Sequence, residues 1–99
     1  MKIVAVTACP TGIAHTYMAA DALTKAAPKH KVHIKVETQG AMGIENPLNP
    51  QDIAHADKVL IVSDIEIEQM ARFEGKTCIQ LPIEDVLLNV DKVFLLHCR

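Results

Sequence analysis

The chain has 99 residues and a formal charge of −2 at pH 7, with acids and bases interspersed, so it makes one domain and carries no basic face of the kind nucleic acid requires. Three cysteines without a CxxC pair exclude a disulfide framework and point to a reducing cytoplasm. Aromatic residues are only 3% of the chain, so Ala, Val, Ile and Leu must fill the core. The apolar run after Met1-Lys2 is too short and too β-branched for a signal peptide, no membrane-spanning stretch follows, and no repeat or low-complexity tract is present.

Residues 3–8 are apolar on both faces and read as a fully buried strand. They lead into Cys9-Pro10-Thr11-Gly12-Ile13-Ala14-His15-Thr16, where Gly12 offers an unusual backbone angle. A helix is predicted over 13–27, with Ile13, Tyr17, Ala20, Leu23 and Ala27 on one face and Pro28 as its stop. Val32, Ile34 and Val36 alternate with His33, Lys35 and Glu37, which predicts a strand with one wet face near a sheet edge. Residues 38–48 read as a long connection, after which Asn49 caps a short helix with Pro50 at its first position.

A second buried strand opens at Lys58 and ends at Ser63-Asp64. A short helix over 67–73 is expected to close at Gly75, and residues 76–81 form a fourth strand. Pro82 starts the last helix, with Glu84 and Asp85 in its first turn and a buried stripe of Ile83, Val86, Leu87, Val90 and Phe94. The alternation predicts an α/β fold over 1–99: a four-stranded parallel sheet in the order 2-1-3-4, a Rossmann-like three-layer arrangement with helices on both faces. Ligands bind such sheets at the carboxyl ends of the strands flanking the reversal of chain direction. Here those ends carry the Cys9 loop and the Ser63-Asp64 loop.

Cys9 therefore sits where a strand turns into a helix, beside free backbone N–H groups and the positive end of a helix dipole. That setting favours a thiolate and cradles an anion, which suggests covalent phosphoryl chemistry. Pro10 and Gly12 shape the turn, and Thr11, Gly12, Ile13 and Ala14 supply mostly backbone N–H donors to phosphate oxygens. Thr11 and Thr16 either add hydroxyl donors or cap the helix. His15 either donates to bound phosphate or lies on the surface. Asp64 either reaches the cysteine loop or caps a helix, and Arg72 is either a surface charge or part of a docking face. Cys78, mid-strand, reads as structural, and Cys98 has no assigned role. His30, His33, His55 and His97 lack metal-ligand spacing and read as solvated, so neither metal nor cofactor is expected.

The octapeptide Cys9 to Thr16, followed by Met18-Ala19-Ala20, resembles the fructose-type enzyme IIB domain of the bacterial phosphoenolpyruvate-dependent sugar phosphotransferase system. The likeness continues through Val36-Glu37-Thr38-Gln39-Gly40, Gly43-Ile44-Glu45-Asn46, Asp52-Ile53, Ala56-Asp57 and Arg72-Phe73-Glu74-Gly75-Lys76, and so spans most of the chain. Tyr17 departs from an expected Phe, and Leu95-Leu96-His97-Cys98-Arg99 matches nothing expected of the family.

The resemblance implies that Cys9 accepts a phosphoryl group from a phosphohistidine of a IIA partner and passes it to a sugar held by the membrane IIC partner, coupled to uptake. It implies a cytoplasmic, free-standing, monomeric component held at the inner membrane through IIC, without inserting itself. Cysteine-dependent phosphatases and arsenate-reductase-like enzymes are the rival class. They use Cys-x5-Arg, and here the sixth position after Cys9 is His15, which lacks the bidentate guanidinium grip on phosphate. A nucleotide-binding module is disfavoured by the lack of a glycine fingerprint or P-loop lysine.

Overall fold

The computed structural model describes residues 1–10 and 14–97. Strand β1 (Lys2–Ala8) runs up the middle of the sheet. Helix α1 (Ala14–Ala26) follows and tightens into a 3₁₀ turn (Ala27–His30), where Pro28 removes an N–H that an α-helix would need. Lys31 takes a left-handed backbone (φ 57°) and turns the chain into β2 (His33–Gly40). The rest are β3 (Gly43–Glu45), α2 (Pro50–His55), β4 (Lys58–Ser63), a 3₁₀ turn (Met70–Phe73), β5 (Cys78–Leu81) and α3 (Ile83–His97).

The sheet order is β3-β2-β1-β4-β5. β2, β1, β4 and β5 are parallel, in the predicted order. The sheet nevertheless has five strands rather than four. Residues expected to be a plain connection fold back as β3, antiparallel to β2, with Gly40 opposite Gly43 across an Ala41-Met42 turn. Gly43 has a φ of 89°, a backbone that L side chains rarely adopt, and this lets the hairpin close tightly.

Period-two alternation sends the strands' side chains into two cores. Ile3, Ala5, Leu60 and Val62 pack against Ala19, Leu23 and Phe94 of α1 and α3. Val4, Val6, Val59 and Ile61 pack against Ile53 of α2 and Phe73. Each fully buried aliphatic side chain contributes roughly 1.5–3 kcal/mol.

The expected cap of α2 is present. Asn49 accepts the Asp52 N–H at 2.7 Å, and Asp52 accepts the Asn49 N–H at 3.0 Å. The helix expected over 67–73 shrinks to the 3₁₀ turn because Gln69 adopts a left-handed backbone (φ 61°). Gly75 ends it as expected, with a φ of 85°. The stripe of α3 is correct for Ile83, Val86 and Phe94, all buried. The helix breaks at Asn89, whose extended backbone lets its side chain accept the Lys92 N–H at 3.1 Å and start a second helical segment.

His30 is not solvated as expected: its ring stacks on Phe94 with centroids 5.0 Å apart and pairs with Asp91 at 2.9 Å. His97 is half-buried, and its carbonyl accepts from Lys58 Nζ at 2.7 Å. Cys98 lies outside the described residues.

Candidate functional site

β1 delivers Cys9 to the carboxyl edge of the sheet, beside β4, where Ala8 pairs with Ser63. Strand order reverses between these two strands, which is where α/β sheets open a crevice. Pro10 is exposed at the bend, and Ala14 begins α1. Thr11, Gly12 and Ile13, expected to supply backbone donors, lie outside the described residues.

The Cys9 side chain is buried, at 4% exposure. Thr16 Oγ1 donates to Cys9 Sγ at 2.9 Å, and Thr7 Oγ1 donates to the Thr16 carbonyl at 3.0 Å. Thr7 and Thr16 are fully buried, so β1 and the first turn of α1 are joined by two hydrogen bonds that fix the sulfur's direction. An O–H aimed at sulfur gives a thiolate a hydrogen-bond donor.

The other expected site residues are placed as follows. His15 lies on the exposed side of α1. Asp64 is exposed, and its Oδ1 accepts the Ile83 N–H at 3.4 Å, tying the end of β4 to the start of α3. Ser63 Oγ accepts the Ile65 N–H at 3.0 Å and shapes the turn between them. Cys78 is half-buried on β5, its thiol pushed up by burial, with Sγ 4.0 Å from the Phe73 carbonyl. Among the described residues no cluster of His, Cys, Asp and Glu is arranged to hold a metal.

Tyr17 turns its hydroxyl towards the β2–β3 hairpin. Burial and the Glu45 carboxylate raise the phenol above its ordinary value, and the buried oxygen has no hydrogen bond of good geometry.

Sequence reasoning missed Glu37. Alternation assigned it to the wet face of β2, yet it has no exposure at all. Arg72 grips it bidentately: Nη1 donates to Oε1 at 2.8 Å and Nη2 to Oε2. The Leu48 N–H adds a bond to Oε1 and Gln39 Nε2 one to Oε2, both at 2.9 Å. Burial alone would raise the Glu37 carboxyl. The bonds from Arg72, Gln39 and Leu48, with the Arg72 charge, hold it below its ordinary value instead. The guanidinium also lies 4.7 Å over the Phe73 ring. The signal in the sequence was the pair of motifs around Glu37 and Arg72, but nothing in their spacing shows that they meet.

The family model described as "PTS system, Lactose/Cellobiose specific IIB subunit" matches residues 4–95. The chain belongs to the IIB family of the sugar phosphotransferase system. Within it, this domain is of the fructose type. It is 50% identical over 92 residues to the PTS system fructose-like EIIB component 2 of Escherichia coli K12, covering 93% of this chain and 87% of that one. It is 52% identical over 82 residues to the fructose-specific EIIABC component of Bacillus subtilis, covering 83% of this chain and 13% of that much longer protein.

The fold agrees with this placement. The solution structure of an Escherichia coli K12 enzyme IIB subunit superposes with a TM-score of 0.88 at 39% identity, covering 95% of this chain and 87% of that one. A domain of fruA from Bacillus subtilis superposes at 0.85 and 44% identity, covering 94% and 88%. The phosphatase alternative draws no support from these relatives. Among the described residues no helix of this IIB domain is long and apolar enough to cross a membrane.

Proposed function

We propose that Cys9 is the phosphoryl carrier of this IIB domain. The observation that carries the reading is the placement of its sulfur: at the carboxyl end of the central strand, directly before a helix, and held by the Thr16 hydroxyl at 2.9 Å. In the first step the thiolate attacks the phosphorus of a phosphohistidine on a IIA partner. The S–P bond forms, the P–N bond breaks, and the imidazole leaves with its electron pair. In the second step a sugar hydroxyl on the IIC partner attacks the phosphocysteine. The O–P bond forms, the thiolate is released, and the hydroxyl proton passes to a base in that partner's site.

Phosphoryl transfer asks the protein for positioning and charge stabilisation rather than covalent assistance. The loop from Pro10 to Thr16 would hold the transferred oxygens, with the start of α1 contributing its dipole. His15, already exposed at this end, is available to a bound phosphate. Asp64, engaged with α3, acts on the shape of the loop rather than on phosphate.

IIA and IIC partners are supported by relatives that match this domain within longer EIIABC, EIIBC and EIIB'BC chains. The fructose-type relationship makes fructose or a similar sugar the expected acceptor, and the IIC partner keeps this domain at the cytoplasmic side of the membrane. Docking must uncover the buried Cys9 sulfur. Met42 in the hairpin turn, 79% exposed, and Ile65 after β4 offer apolar contact on segments that leave the same sheet edge. Transient carriers suit small interfaces of this kind.

The test is intact-protein mass spectrometry after incubation with phosphoenolpyruvate, the general phosphotransfer proteins and a fructose-type IIA. Wild type should gain one phosphoryl group that maps to Cys9, and Cys9→Ser should gain none. Phosphorylation of Cys9→Ser at wild-type level would sink the assignment.

A further inference from the structure

Two motifs of the sequence, one around Glu37-Thr38-Gln39 and one around Arg72-Phe73, form a single cluster beside the cysteine edge. Gln39 stands at its outer end. Its Oε1 accepts the Glu68 N–H at 2.8 Å, and its Nε2 donates to the Glu68 carbonyl at 3.1 Å and to Glu37 Oε2 at 2.9 Å. A side-chain amide thus makes both bonds to the Glu68 main chain that a neighbouring strand would make. Behind it, Glu37 is fully buried and locked by Arg72 and the Leu48 N–H, so Gln39 rests on a rigid backstop.

A groove of about 380 Å³ opens between the two segments joined in this way. Gln39, Gly40 and Ile44 line it from the hairpin, Ile65 and Glu68 from the segment after β4, and Ala8, the residue before Cys9, is also in its lining. Ile67 anchors the 64–69 segment in the core beneath, which fixes its depth. Among the described residues, both hydrogen bonds that join this segment to β2 come from the Gln39 amide. The direct tie across the groove is therefore made by one side chain.

We infer that Gln39 is a positioning residue for phosphoryl uptake: by tying the Glu68 main chain to β2, it sets the gap beside Ala8, the residue before Cys9, that admits the donor's phosphohistidine side chain. The inference rests on the reading of Cys9 as the phosphoryl acceptor. Gln39 touches neither the sulfur nor the phosphoryl group and acts on the fit of the donor. Loosening it should weaken productive docking while leaving the transfer step intact.

The test is Gln39→Met, which keeps length and volume and removes both bonds to Glu68. Initial rates of Cys9 phosphorylation are measured against the concentration of phosphorylated IIA. The expected result is a KM for that donor raised about tenfold, the scale of one lost hydrogen-bonded tie, with kcat within about twofold of wild type. The thermal midpoint should stay close to wild type, because Glu37 keeps Arg72 and Leu48, while hydrogen exchange at the Glu68 amide should accelerate. Gln39→Asn retains the amide one methylene short of Glu68 and carries the same expectation, should the methionine variant fold poorly. An unchanged KM in a phosphorylated variant overturns the inference and leaves Cys9 as acceptor. A fall in kcat with KM unchanged also overturns it, because the tie would then act on the transfer step. Absence of phosphorylation on wild type, with an active donor present, overturns both readings together.

Discussion

The two faces of the sheet are built on the same strands and stabilised by different chemistry. The α1/α3 face is apolar: Leu23, Val86 and Phe94 close over Ile3, Ala5 and Val62, and Cys9 sits at its upper edge. The α2 face has an aliphatic centre at Val6, Val59 and Ile61, but its flank at β2 holds a carboxylate with no exposure, gripped by an arginine 35 residues downstream. Close packing fixes the first face, where a lost side chain costs its transfer energy and a cavity but strands no charge. A charge-and-hydrogen-bond network fixes the flank of the second, where the loss of one partner strands the other. The segment after β4 depends on that network for its lateral position.

Removing Arg72 should expose this difference most sharply. Arg72→Met leaves the Glu37 carboxylate buried and unpaired, and should cost about 3–5 kcal/mol in urea unfolding at pH 7. The double variant Glu37→Gln/Arg72→Met should recover much of that loss, because no charge is then stranded. The pH dependence follows from the depressed Glu37 carboxyl. Its folded value lies below its unfolded value, so its contribution is fully present above the usual glutamate range and is lost as pH falls through the folded value. The gap between wild type and Arg72→Met should therefore narrow in acid. A constant gap from neutral pH down to the acid limit of folding would show that Arg72 acts through packing on Phe73 instead.

Leu23→Ala is the matching probe of the other face. Leu23 is fully buried between α1 and the sheet, and its truncation should cost about 3 kcal/mol through lost transfer energy and an unfilled cavity. No titratable group is involved, so the cost should be the same in acid as at neutral pH. If Leu23→Ala lost stability steeply with pH, the division of the two faces by chemistry would not hold.

The same division explains what could be read from the sequence. Apolar alternation and continuous apolar runs point to four parallel strands in the right order, because burial on both faces leaves a local imprint along β1 and β4 from the residue after each opening lysine. The Asn49-Pro50-Asp52 cap was legible for the same reason: its partners are three residues apart. Glu37 was not, since its alternation is that of an exposed position and its cation comes from a distant loop. β3 escaped notice because three residues beginning with glycine carry almost no periodic signal. The 67–73 segment looked helical from its apolar spacing, but Gln69 takes a left-handed backbone that no residue preference foretold. At the site, the position of Cys9 followed from strand order and motif together. The Thr16 bond to its sulfur depended on a helix phase that places residue 16 under residue 9, with Thr7 beneath it.

The finest comparison lies within β2 itself. Lys35 and Glu37 point to the same face, two residues apart, and each is paired with an opposite charge. Lys35 meets Asp52 at 2.6 Å with side chains 44% and 27% exposed, whereas Glu37 is sealed from water. The Lys35 hydrogen bond, helped by the Asn49 N–H, holds the Asp52 carboxyl below its ordinary value, so the pair favours folding above the usual aspartate range and loses that contribution as pH falls through the lowered value. Solvent screens both charges, and Asp52 keeps its capping bonds with Asn49 when the lysine is gone. Lys35→Met should therefore leave the urea midpoint close to wild type at pH 7, and the small difference should vanish as salt is raised. The Arg72→Met deficit should persist in the same salt, because water and ions do not reach Glu37. A Lys35→Met loss as large as that of Arg72→Met would mean that charge pairing on β2 matters regardless of depth, and that burial is not what gives the Glu37 cluster its hold on the site.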